Sequence, residues 1–179
     1  MRSYLSALLL ALGLCLGASA DNTAGVVVTH TAENYTPGAT VEIQVTITKT
    51  GQDQLSALGL RETLPAGWSY ASKREVSGGL PAVSPAANAT GTLEFAWINV
   101  PTFPYTLAFS LNAPADASGS VNVTGQVEYR VTGPQELSSP DTYTVSQPSQ
   151  GCSIGEQGFF GWLICVIVTF FQSLFGIGG

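Results

Sequence analysis

"TVEIQVTIT", residues 40–48, carries the period that decides the fold. Val41, Ile43, Val45 and Ile47 are apolar, while Glu42, Gln44, Thr46 and Thr48 between them are polar. Successive side chains of a strand point to opposite faces, so this alternation describes a half-buried strand with one wet side. The same period returns in "TLEFAW" (92–97), "YTLAFSL" (105–111) and "SVNVTGQVEYRV" (120–131). Weaker versions are "GVVVTHT" (25–31), "ALGLRETL" (57–64) and "DTYTVS" (141–146). Between these runs lie turn-forming clusters such as "TPGA" (36–39), "KTGQD" (49–53), "LPAG" (64–67) and "APADASG" (113–119). Seven or eight short strands, no helical stretch and prolines confined to connections predict an all-β domain. Its form is an antiparallel immunoglobulin-like β-sandwich. Trp68, Phe95, Trp97 and Phe109 are the bulky residues expected in its core.

The chain has 179 residues, of which 10% are charged, with a formal net charge of −6. Its few cations are scattered apart from Lys73-Arg74, so nothing provides the basic footprint that nucleic acid requires. Residues 1–20 read as a secretory signal peptide. Arg2 precedes the apolar "YLSALLLALGLCLG", and "ASA" places small residues before a cleavage point between Ala20 and Asp21. Export brings the chain into an oxidising compartment. No cysteine lies between residues 21 and 151, so the domain at 21–147 relies on its apolar core, and zinc sites built on cysteine are excluded there.

Residues 148–157 form a short polar tether, and residues 158–179 carry no charged side chain. Twenty-two residues of helix would span about 33 Å against a hydrocarbon thickness of about 30 Å. Phe159, Phe160, Trp162, Leu163, Ile164, Val166, Ile167, Val168, Phe170, Phe171, Leu174 and Phe175 leave no polar stripe. The expectation is a C-terminal transmembrane helix that holds the β-domain outside the cytoplasm, with the lipid bilayer as its first partner. Gly161, Cys165, Thr169 and Ser173 recur at four-residue spacing, a small-residue stripe through which two helices could associate. Two alternatives stay open. The tail could be a processed sorting signal, with Cys152 as the lipidation or cross-link site, or it could dock into a partner subunit.

No catalytic, cofactor-binding or metal-binding constellation is legible. His30 is the sole histidine and reads as an exposed residue on the wet face of the first strand, with no nucleophile near it in sequence. The carboxylates are dispersed and form no calcium loop. Glu94 and Glu128 could meet across strands as a hydrolytic pair, though polar sheet faces ordinarily carry such residues. Lys49 adjoins Thr50-Gly51 and reads as a turn residue rather than a cross-linking lysine. Tyr70, Tyr105 and Tyr143 could line a carbohydrate groove if they faced outward. Three Asn-x-Thr triplets, at Asn34, Asn88 and Asn122, match a glycosylation pattern in a threonine-rich chain.

The run "VEIQVTITKTGQDQLSALGLRETLPAGWSYAS" (41–72) resembles the conserved-repeat domain of unknown function of bacterial cell-surface proteins, an immunoglobulin-like sandwich. The shared pattern is an alternating strand, a turn at Gly51, a second strand, and Leu64-Pro65-Ala66-Gly67-Trp68. The resemblance implies a spacer or adhesive module and supplies no catalytic residue. These expectations converge on a non-enzymatic exported envelope module with an unidentified protein or glycan partner. The alternatives are a carbohydrate-binding or hydrolytic surface domain, or a secreted subunit.

Overall fold

The computed structural model describes residues 22–148, together with Leu163 and Ile167. Nine strands follow in order: β1 (Val26–Ala32), β2 (Thr40–Lys49), β3 (Ala57–Thr63), β4 (Ser69–Glu75), β5 (Thr92–Trp97), β6 (Tyr105–Asn112), β7 (Ser120–Arg130), β8 (Glu136–Leu137) and β9 (Asp141–Ser146). One sheet has the order β1-β2-β6-β4. The other runs β5-β3-β7, with β8 and β9 taking successive stretches of the free side of β7. Every pairing is antiparallel. The all-β sandwich expected from the period of two is the fold.

The alternation in residues 40–48 translates directly into burial. Val41, Ile43, Val45 and Ile47 are buried, and the residues between them are not. Their neighbours in register are Leu111, Phe109, Leu107 and Tyr105 of β6, so two strands present one continuous apolar face to the opposite sheet. Trp68, Phe95, Trp97 and Phe109 all lie in the core. Phe95 and Phe109 meet across the two sheets with ring centroids 5.6 Å apart, and Tyr35 meets Trp68 edge-on at 5.0 Å. Trp68 is aimed inward by the turn before it. Its N–H donates to Pro65 O at 3.3 Å, with Gly67 at φ 83°, a conformation that glycine reaches without strain.

Two strands are not legible as alternation. β4 shifts register between Tyr70 and Ser72, and this bulge breaks its period. Residues beyond the β4 pairing cover its free edge there, since Tyr70 N–H donates to Ala89 O and Asn88 N–H to Tyr70 O. β8 is only two residues long and owes its place to Ser138, whose N–H donates to Val127 O while its hydroxyl accepts from Val127 N–H.

The ends of the sandwich have different roles. β7 spans 11 residues, roughly 33 Å of strand, from Ser120 beside Ser146 to Arg130 beside Ala57. The C-terminal strand therefore leaves at the Ser120 end, while the β2–β3 and β5–β6 connections gather at the Arg130 end.

Candidate interaction surface

The Arg130 end carries a concavity of about 520 Å³ between the β2–β3 and β5–β6 connections. The β2–β3 connection is held from below. Ser56 N–H donates to Arg130 O at 2.7 Å, and Lys49 Nζ donates to the Asp53 carbonyl at 2.8 Å and to that of Gly51. Lys49 is thus a turn clasp, as its sequence setting implied. Leu55, Val100 and Phe103 line the hollow and pack partly against the core, which fixes the floor. Ile98 is different. It is 80% exposed and stands as a ridge between this hollow and a second one of about 310 Å³ that also touches Leu80 and Trp97. Leu80 and Val83 are likewise exposed, and Val83 pairs with Ala96, two residues before Ile98. A cluster of exposed aliphatic groups around a hollow is the usual mark of a contact surface.

A second constellation was not anticipated. His30 Nδ1 lies 2.7 Å from Asp141 Oδ2, and Nε2 lies 2.8 Å from Glu62 Oε1. The side chains of His30 and Glu62 have no solvent exposure, whereas that of Asp141 retains a third. Tyr143 stacks on the imidazole at 4.4 Å, and Gly125 leaves the room, because a Cβ there would sit 2.3 Å from His30 Cε1. Burial alone lowers the His30 pKa, but the two carboxylates more than reverse this and leave it raised. Burial raises that of Glu62, an effect the imidazole only partly offsets. Burial and then the Glu62 charge push the Tyr143 phenol up. Glu62 and Tyr143 feel one another, although neither Glu62 Oε2 nor the Tyr143 hydroxyl closes a hydrogen bond of ordinary geometry.

The exposed placement of His30 is therefore corrected. Counting by two from Val26 and Val28 puts His30 on the inward face, and the same count puts Glu62 with Leu58 and Leu60, and Asp141 with Tyr143 and Val145. That parity was the available signal. The cluster's chemistry is that of a closed hydrogen-bonded set. Both ring nitrogens are occupied, leaving none to take a substrate proton. The carboxylates also lie on opposite sides of the ring, and no group of metal-ligating side chains converges among the described residues.

Other sequence candidates separate. Glu94 and Glu128 do not pair with each other. Arg61 on the intervening strand takes Glu94 at 3.3 Å and Glu128 at 2.8 Å. Tyr70, Tyr105 and Tyr143 are buried, so they line no carbohydrate groove. Of the expected anchor, Leu163 and Ile167 are described, and both are helical and exposed. The other anchor residues, the stripe of Gly161, Cys165, Thr169 and Ser173, Cys152, and the Ala20–Asp21 junction lie outside the described residues. Among the described residues no helix is long and apolar enough to cross a membrane.

Residues 35–95 match the family of the NPCBM-associated, NEW3 domain of alpha-galactosidase. That family is one of immunoglobulin-like domains associated with carbohydrate-binding modules, and the match agrees with the immunoglobulin-like sandwich expected from residues 41–72. No curated protein matches the chain. Among solved structures, it is similar to the sixth cohesin of Acetivibrio cellulolyticus scaffoldin B, solved with a Cel5 dockerin mutant. The identity is 12% and the TM-score 0.51, over 69% of this chain and 99% of that one. The collagen-binding domain of a Staphylococcus aureus adhesin also matches, at 12% identity and a TM-score of 0.46, over 67% and 97%. The cohesin likeness agrees with the sandwich fold described above.

Proposed function

We propose that this immunoglobulin-like domain is a non-enzymatic interaction module of the cell envelope. In this reading it is exported by residues 1–20, held at a membrane by residues 158–179, and meets its partner through the surface around Ile98. The single observation that carries the reading is polarity along the sandwich. The hollow lies at the Arg130 end of β7, and the chain leaves toward the tail at the Ser120 end, roughly 33 Å away. An anchor at one end presents the other to the exterior. Binding activity is consistent with a sole histidine whose ring nitrogens are both engaged.

Two experiments test the halves of this proposal separately. Full-length protein should stay with membranes after alkaline carbonate washing, and release of the intact chain would end the anchored reading. A photo-cross-linker at position 98 should give a discrete product on source cells, while one at Thr31, on the outward face of the other sheet, should not. Equal labelling from both positions would end the assignment of the surface.

A glycan partner is the second reading, favoured by the family match of residues 35–95. The sugar would then meet Ile98 and Phe103 rather than the buried tyrosines. Binding of the full-length protein on a glycan array, lost in Ile98→Asp, would select this reading over a protein partner. Self-association through Gly161, Cys165, Thr169 and Ser173 belongs to the same proposal. A detergent-resistant dimer that survives replacement of Gly161 and Thr169 by Leu would remove it.

A further inference from the structure

We infer that His30, Glu62 and Asp141 form a proton-held clasp that fastens β1 of one sheet to β3 and β9 of the other, so that the domain takes up a proton at this site when it folds in neutral to alkaline solution. Two nitrogen–oxygen contacts, at 2.7 Å and 2.8 Å, each need one hydrogen between the heavy atoms. Ionised carboxylates only accept, and a neutral imidazole carries one N–H. The three groups must therefore hold two hydrogens. Either the imidazolium donates to both carboxylates, or a neutral imidazole donates to one and accepts from the protonated other. Above about pH 6.5 the same groups in the unfolded chain hold one hydrogen. The difference is one proton, whichever arrangement holds it.

The surroundings confine that proton. β3 contributes Glu62, β9 contributes Asp141 and Tyr143, and β7 contributes Gly125, which has no titratable side chain. β2 faces His30 in register with Val45. These neighbours include no further cation, so proton loss would leave buried acceptors opposed to one another. The raised proton affinities of His30 and Glu62 agree in sign. A group whose folded pKa is raised contributes its full stabilisation below the unfolded value and loses it as pH rises through the folded one. The clasp closes the seam between the sheets, where Tyr35 N–H also donates to Ser146 O at 2.9 Å.

The test is urea unfolding of the full-length chain in a mild non-ionic detergent, from pH 5.5 to 9.5, beside Glu62→Gln. The wild type should be flat to about pH 6.5. Above that its folding constant should fall about tenfold per pH unit, about 1.4 kcal/mol, until the folded cluster releases its proton. In Glu62→Gln the amide donates to the imidazole, a neutral ring donates to Asp141, and no proton is taken up. That variant should lose the tenfold slope, and subtracting it cancels the tail cysteines and the amino terminus. A wild type that is flat above pH 7, or a Glu62→Gln variant with the same slope, would overturn the clasp. Should the Glu62→Gln variant fail to fold, the wild-type slope decides alone.

Discussion

The groove end and the β1–β9 seam have opposite designs within one sandwich. At the groove end apolar groups stand in solvent, Ile98 above all, over a floor held by backbone hydrogen bonds. At the seam ionisable groups lie inside, each imidazole nitrogen on a carboxylate, in space left by Gly125. Each region inverts the ordinary placement of its residue types, and each inversion costs stability unless something offsets it. The seam is offset internally by charge pairing. The groove has no internal offset, which is why we assign its purpose to a partner.

The comparison can be broken most forcefully at His30. His30→Leu leaves the buried Glu62 and the half-buried Asp141 without their shared donor, and we expect a loss of about 3–5 kcal/mol in urea unfolding at pH 7.5. A loss below about 1 kcal/mol would mean the ring is incidental. Gly125→Ala should cost about 1–3 kcal/mol, because the added methyl meets a ring pinned on both sides. In the His30→Leu background the same substitution should cost less, and a double-mutant cycle measures the difference. Arg61→Ala should change stability by at most about 1 kcal/mol although it breaks two ion pairs, since those pairs are solvated. Ile98→Asp should leave unfolding within about 0.5 kcal/mol while abolishing partner cross-linking from a probe placed at Leu80, which lines the adjoining hollow. A large stability loss there would show Ile98 to be structural.

Much of the fold was legible because burial in a two-layer sandwich follows the strand period directly. Residues 40–48 and 92–97 alternate in sequence as they do in space, and 105–111 do so apart from the buried Ala108. β4 was hidden by its bulge, and β8 by having only two residues. The seam was hidden for a different reason. His30, Glu62 and Asp141 are polar residues in inward-facing positions, and a reading that equates polar with outward assigns each to solvent.

Composition and periodicity alone therefore determined a cysteine-free β-sandwich, its core, and an uncharged C-terminal stretch. They act residue by residue through transfer free energy, which is local. Only the tertiary structure decided that residues 30, 62 and 141 meet, that Arg61 parts Glu94 from Glu128, and that β9 ends opposite the groove. Those facts depend on which strands become neighbours, and strand pairing joins residues far apart in the chain by contacts that no local pattern encodes.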